Sequence, residues 1–325
     1  MGDTKIEWAD KVWNPVTGCT KVSQGCKNCY AERLAKRFWG ERKFSDVRWH
    51  EDRLNEPLKW KKPCRVFVNS MSDLFHPDLG DGYIAAAFQV MREASQHTFM
   101  ILTKRPERML AYMMKYPREA ASNIWLGVSV EDQKTADLRI PILLQTPAMI
   151  RFVSVEPMLG PVTLTDIRVN KDWVWDVLSG IQIKTAWEDY QFGCKKINWV
   201  ICGGETGPGA RPMHLWWARA IRNQCRDAKT PTPFFFKQWG EWHPQFDQRS
   251  EFVFNCPVCN CTDNDPCEGG CYWVVDGDEN DRCSRCLSYQ SFMWPDQSYS
   301  YRAGKKRAGR ILDGRTWEEF PEVVR

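Results

Sequence analysis

Thr98-Phe-Met-Ile-Leu-Thr-Lys-Arg-Pro-Glu-Arg-Met-Leu-Ala-Tyr-Met-Met-Lys115 holds one complete unit of the fold. Its first six residues form a nearly continuous apolar run, the pattern of a strand covered on both faces. Thr103, Lys104 and Arg105 end the run with polar groups. Pro106 then opens a helix, where its missing N–H costs nothing. Met109, Leu110 and Met113 follow at helical spacing. A strand leading straight into a helix is half of a crossover, so the unit predicts a parallel sheet.

The unit recurs in both directions. Strand candidates lie at residues 12–16, 65–70, 98–103, 123–130, 151–155, 198–202 and 233–237. Helical stripes fall between several of them. Ala31, Leu34, Ala35 and Phe38 form one, ended by Gly40. Ile84, Ala87, Phe88 and Met91 form another, as do Trp217, Ile221, Cys225 and Ala228. Six or seven units predict an α/β fold, a partial or open (β/α)6–7 barrel, with a doubly wound open sheet as the alternative. Residues 158–197 break the rhythm and read as an irregular excursion. Residues 250–295 break it again, with seven cysteines and many Asp and Asn. The expected organisation is a barrel over 1–249, an inserted cysteine-rich module over 250–295, and a basic extension over 296–325 returning to the main domain.

With 43% hydrophobic and 26% charged residues, the 325-residue chain has ample material for a core. No apolar run reaches the length of a membrane span. The polar N-terminus lacks the layout of a secretory leader, so a cytoplasmic location is expected. A net charge of +4 does not by itself argue for a nucleic-acid partner. In a cytoplasmic setting, clustered cysteines bind metal more often than they form disulfides. Of the fourteen, three lie in 19–29 and seven in 256–286. Cys64, Cys194, Cys202 and Cys225 are scattered and read as small buried hydrophobes. Arg219, Arg222 and Arg226 share a helix face, either solvated or set against a nucleic-acid backbone.

Gly18-Cys-Thr-Lys-Val-Ser-Gln-Gly-Cys-Lys-Asn-Cys-Tyr30 reads C-x6-C-x2-C-Y and runs into a helix. Cys19, Cys26 and Cys29 suit three irons of a [4Fe–4S] cluster, whose fourth iron stays open as a catalytic centre requires. A zinc ion completed by His50 or His76 is the second reading, and redox or buried thiols a third. The distal cluster contains two C-x2-C pairs, Cys256/Cys259 and Cys283/Cys286, the layout of a tetrahedral zinc site. Cys261, Cys267 and Cys271 remain for a second metal, and an auxiliary iron–sulfur cluster is the rival occupant.

The three-cysteine loop resembles the radical S-adenosylmethionine signature, although six residues rather than the usual three separate its first two cysteines. It is similar to a narrower radical-SAM-like three-cysteine family frequent in phages and prophages. The likeness rests on Ile6-Glu-Trp8, Trp13-Asn-Pro-Val-Thr-Gly-Cys19 and Phe67-Val-Asn-Ser-Met-Ser-Asp-Leu-Phe-His-Pro77. It continues through Leu102-Thr-Lys-Arg-Pro-Glu-Arg108, Trp125-Leu-Gly-Val-Ser-Val-Glu-Asp132 and Phe152-Val-Ser-Val-Glu-Pro157. Gly203-Gly-Glu-Thr-Gly-Pro-Gly-Ala-Arg-Pro212, Phe234-Phe-Phe-Lys-Gln-Trp-Gly-Glu-Trp242 and Ala308-Gly-Arg-Ile-Leu-Asp-Gly314 complete it.

The resemblance implies a radical enzyme that takes S-adenosylmethionine and an external electron donor. The polar strand ends would then bind the cofactor. Asp73, Glu131, Glu156 and Glu205 suit its ammonium, and Lys104 or Arg105 its carboxylate. Tyr30 would pack near the adenine, with Asn69, Ser70 and Ser129 around the same mouth. Gly203, Gly204 and Glu205 resemble the Gly-Gly-Glu motif of such enzymes, which usually follows the second strand and here follows about the sixth. The first-choice substrate is a nucleic acid or nucleobase. The competing function is a zinc-stabilised phage protein that binds nucleic acid or protein without catalysis.

Overall fold

The structure, a computed structural model, describes residues 4–184, 189–193, 195–244, 273–275, 281–283, 291–296 and 298–322. Its core is a seven-stranded sheet: β1 (Lys11–Trp13), β2 (Arg65–Val68), β3 (Thr98–Thr103), β4 (Ile124–Val130), β5 (Ile150–Val155), β6 (Trp199–Gly203) and β7 (Phe234–Gln238). The strands lie side by side in chain order, and every neighbouring pair is parallel. A doubly wound sheet would reverse that order at a switch point. Right-handed crossovers in an unreversed order put all helices on one face. The helices are α1 (Tyr30–Phe38), α2 (Asp81–Glu93), α3 (Pro106–Lys115), α4 (Gln133–Gln145) and α5 (Leu215–Asp227). The sheet therefore curls as a half-barrel with its helices outside.

The period of two sorts each strand's side chains onto these faces. Val66, Val68, Phe99, Ile101, Leu126, Val128, Val153, Val200 and Phe236 pack outward with the helices in one large apolar cluster. Phe67, Met100, Trp125, Phe152, Trp199, Ile201 and Phe235 point inward and meet Trp8 and Ala9 in a second cluster. Trp199 lies at its centre, against the rings of Trp8, Trp125, Phe152, Phe235 and Phe320. Each large side chain buried there contributes roughly 1.5–3 kcal/mol, so the aromatic plug closes the bottom of the half-barrel.

The C-terminal segment protects the free edge of β7. Phe236 N donates to Trp317 O at 2.9 Å, Glu319 N donates to Phe234 O at 3.2 Å, and Phe235 faces Glu318 in an antiparallel bridge. A covered edge cannot template pairing with another chain.

Several sequence expectations need correction. Among the described residues of 158–197, Ile167–Arg168, Trp173–Asp176, Ile181–Lys184 and Asp189–Phe192 form a four-stranded antiparallel sheet, not an irregular excursion, in place of a helix between β5 and β6. Helix α4 escaped the pattern because Pro141 lies within it and its buried residues include the adjacent pairs Ile140/Pro141 and Leu143/Leu144. The arginine face of α5 is only partly solvated: Arg226 is exposed, while Arg222 is buried and Arg219 half-buried. The latter two bind Asp313, Arg219 at 2.5 Å, and so hold the tail to α5, while Arg226 pairs with Asp227 at 2.7 Å. Of the expected distal zinc ligands, Cys256, Cys259 and Cys286 lie outside the described residues. Cys283 ends the strand Asp281–Cys283, paired antiparallel with Trp273–Val275. The main body resumes at Ser291–Met293, which pairs with Tyr299–Arg302.

Candidate active site

Followed towards its carboxyl end, the inner face of each strand turns from aromatic to polar. Phe67 gives way to Asn69, Trp125 to Ser129, Phe152 to Ser154 and Glu156, and Phe235 to Lys237. Above the aromatic plug lie two adjoining cavities. The smaller, of ≈ 150 Å³, is lined by Cys19, Cys26 and Cys29 together with Asn69, Asp73, Lys104 and Arg105. The larger, of ≈ 640 Å³, is lined by Trp8, Asn14, Ser154, Glu156, Gly204, Glu205, Lys237 and Gln238. Cys29, Tyr30, Ser70, Lys104 and Ser129 belong to both walls. The strand ends and the cysteine loop, distant in sequence, thus surround one space.

The walls differ in how far their groups are already committed. Asp73 is 5% exposed. It accepts hydrogen bonds from Thr103 Oγ1 at 2.7 Å, Lys104 N at 3.1 Å and Arg105 at 3.2 Å. Arg105 in turn reaches Cys19 Sγ at 3.6 Å and Thr20 O at 3.0 Å. Asp73 thus holds the guanidinium that faces the first thiol. Glu131 lines neither cavity: its carboxylate lies beneath Gly25, accepting from Ser23 Oγ at 2.8 Å and from Arg139 at 3.2 Å, with Lys104 at 3.7 Å. Glu156 faces the larger cavity paired with Lys237 at 3.1 Å, and Ser154 Oγ donates to it at 3.1 Å. Gly203 stands behind it, where a Cβ would fall 2.3 Å from Glu156 Oε1.

A clasp absent from the sequence reading holds the cysteine loop down. Asn28 Nδ2 donates to Glu205 Oε2 at 3.0 Å and to Gly209 O at 2.7 Å. Arg211 donates from Nε to Glu205 Oε2 at 2.9 Å and from its guanidinium to Gln24 O at 3.0 Å. The segment between Cys19 and Cys29 is thereby tied to the loop after β6. Asn14, which exchanges hydrogen bonds with Ser70 Oγ at 3.2 Å, was also missed. Asn28 and Arg211 lie within motifs that look like loop, and only their spatial partners reveal the role. Tyr30 donates its hydroxyl to Ser70 O at 2.6 Å, fixing the start of α1 to the end of β2.

Residues 3–321 match the family described as protein of unknown function (DUF5131). The chain belongs to that family. No curated protein and no solved structure matches it. The DUF5131 match takes in the cysteine loop, all seven strands of the half-barrel and the tail along β7.

In this DUF5131 protein the three thiols are free. Burial, then the nearby Asp73 charge, push the Cys19 thiol up to about 11 against the opposing pull of Arg105. Cys29 stands at the N-cap of α1 with its side chain making no capping hydrogen bond, so the positive end of the helix faces a thiol free to bind elsewhere. The histidines weighed as zinc partners are engaged otherwise: His50 Nε2 lies 2.7 Å from Thr17 Oγ1 and His76 Nε2 lies 2.8 Å from Thr20 Oγ1. Among the described residues no three His, Cys, Asp or Glu side chains gather around one point suited to a single ion. A cubane cluster takes one thiolate per iron, so its ligands need not converge on one point. Four buried polar atoms on the walls lack a hydrogen-bond partner: Asn69 Nδ2, Glu7 Oε2, Trp8 Nε1 and Gln238 Oε1. Asn69 also holds a left-handed backbone, φ 61°, a conformation that clusters at functional sites. Among the described residues no helix is long and apolar enough to cross a membrane.

Proposed function

We propose that this protein is a radical S-adenosylmethionine enzyme of the open-barrel type, with a [4Fe–4S] cluster on Cys19, Cys26 and Cys29. The observation that carries the reading is the pair of adjoining cavities, one walled by three free thiols and the other by polar strand ends. The donor set fits the group: three thiols, one charge-assisted donor at Cys19 and a helix N-terminus at Cys29 suit an anionic cluster with one open iron. When bound, such a cluster supplies one electron that cleaves S-adenosylmethionine to methionine and a 5′-deoxyadenosyl radical. The chain's own residues would do the rest. Lys104 and Ser129, common to both walls, would orient the amino-acid part, and Tyr30 would pack near the adenine. The plug from Trp8 to Phe235 would keep water out from below. Glu156 and Lys237 would face the substrate, for which a nucleic acid or nucleobase is the first choice. The distal cysteines would hold zinc.

Anaerobic reconstitution with iron and sulfide should give brown protein whose reduced electron paramagnetic resonance spectrum changes on adding S-adenosylmethionine. Reduction should then release 5′-deoxyadenosine. Cys19→Ala, Cys26→Ala or Cys29→Ala should abolish cluster assembly. Full iron and sulfide in the Cys26→Ala protein, or an unchanged spectrum with saturating cofactor, overturns the reading.

A further inference from the structure

Helix α1 leaves the large cavity with an uncovered edge. Tyr30, Leu34 and Phe38 recur every four residues, which sets them in a line about 12 Å long. They are 40%, 40% and 68% exposed. Tyr30 and Leu34 also line the cavity, so the line starts inside it and ends in solvent at Phe38. Ala31 and Ala35 take the buried face of the helix. Arg33 and Arg37 flank the exposed line, and the Arg37 guanidinium lies over the Phe38 ring at 5.2 Å. The cavity wall adds Lys5. Its carboxylates are already neutralised: Glu156 by Lys237 at 3.1 Å, Glu205 by Arg211 at 2.5 Å and Glu7 by Lys305 at 3.4 Å. The mouth therefore combines surplus positive charge with flat apolar surface. Inside, Trp8 and Gln238 are 1% and 4% exposed and present an unanswered N–H donor and an unanswered carbonyl acceptor.

We propose that this edge of α1 is a binding track for single-stranded nucleic acid, one base of which enters the large cavity. Phosphates would pair with Arg33, Arg37 and Lys5. Exposed bases would stack on Phe38, as on other single-strand platforms. The inserted base would meet Trp8 Nε1 and Gln238 Oε1 with its own acceptor and donor, the way extruded bases are read. A duplex keeps its bases stacked inside and offers no ring to Phe38. An acidic protein would answer the charge but leave the cavity's donor and acceptor unmet. Binding stands on these residues alone, while the view that the inserted base is what reacts rests on the radical reading above.

The test is fluorescence anisotropy of the full chain with short labelled single-stranded DNA and RNA, and with a duplex of equal length. Single strands should bind more tightly than the duplex. Phe38→Ala should weaken them about tenfold, the scale of one lost stacking platform, while Phe38→Trp retains binding. Arg37→Ala should lower the slope of log affinity against log salt by about one. Both side chains are solvent-facing, and unchanged circular dichroism confirms folded variants. No strand binding, equal duplex binding, or affinity indifferent to Phe38 and Arg37 overturns the track. Capture of an acidic electron carrier at this face without strand binding does the same. Cluster content and 5′-deoxyadenosine, read in the same preparations, report separately on the radical chemistry. Strand binding without turnover sinks only the latter, and turnover without strand binding only the former.

Discussion

Glu205 shows how a residue's type can be legible while its employment is not. Its position at a strand end suggests a carboxylate free for a ligand's ammonium, yet both oxygens are taken by Asn28 and Arg211. Asn28 lies in the cysteine loop, far away in sequence, so no local pattern announces the bond. Burial alone would raise the Glu205 carboxyl; the Arg211 and Asn28 hydrogen bonds outweigh it and hold it below the ordinary value. A depressed carboxyl stabilises the fold above the unfolded value, about 4.3, and loses that contribution as pH falls through the lower folded one. Arg211→Ala leaves mainly the burial penalty, so its carboxyl should titrate higher. The variant should be less stable by about 1–3 kcal/mol near neutral pH, the cost of leaving a buried acceptor without its partner, and the deficit should shrink as the pH approaches about 4. Urea midpoints at the two pH values measure this, and an equal deficit at both refutes the clasp. Gly25 supplies a second residue-level case, because a Cβ there would fall 2.4 Å from Glu131. Glu131 is 1% exposed and fixed by Arg139, so it cannot yield. Gly25→Ala should displace the cysteine loop, destabilise by about 1–3 kcal/mol and lower iron uptake on reconstitution, as iron and sulfide assays would show.

Elements were more legible than residues wherever one periodicity dominated. All seven strands of the half-barrel overlap strand candidates, and several are nearly continuous apolar runs, because a strand covered by helices on one side and an aromatic plug on the other is apolar on both faces. Helices α2, α3 and α5 each bury one stripe and show it, whereas of the stripe expected on α1 only Ala31 and Ala35 are buried, Leu34 and Phe38 facing solvent. Helix α4 is instead announced by its cap: Asp132 accepts from Thr135 N at 2.8 Å in a reciprocal capping box. The antiparallel sheet over 167–192 was hidden because its described strands are half-buried on both faces and alternate weakly. The ion pairs of Arg219 and Arg222 on α5 were hidden for a similar reason, since their partner Asp313 follows about ninety residues later. That partnership makes a prediction for the element it anchors. Asp313→Ala should free the tail from α5 and speed hydrogen exchange of the Phe236 amide, which bonds Trp317 O. Amides in the middle of β3 should stay protected. Unchanged exchange at Phe236 would mean that the aromatic contacts of Trp317 and Phe320 hold the tail alone.

At the scale of the whole molecule, the segment 245–290 enters and leaves the body at neighbouring points. Pro244 and Phe292 both pair with Ser300, from opposite sides of the strand Tyr299–Arg302. Two inter-strand spacings put the ends of the segment about 10 Å apart, a gap that about four to six linker residues span. Beyond that junction the chain rejoins the body: Trp294 packs edge-on against His214 and Trp217 at 4.7 and 5.1 Å, and the tail then runs along β7. Among the described residues, the half-barrel, its aromatic plug and both cavities draw none from 245–290. Replacing that segment with a short Gly/Ser linker should therefore leave the unfolding free energy of the body within about 0.5 kcal/mol. The iron and sulfide content should stay that of the full chain. Metal analysis should separate the two cysteine groups. The full chain purified in air should keep about one zinc, the linker variant none, since four thiolates hold structural zinc with about 10–16 kcal/mol. Loss of reconstituted iron together with the segment would show that its cysteines bind iron and sulfide instead, and a collapse of the body would show that the insertion is part of the half-barrel's own support.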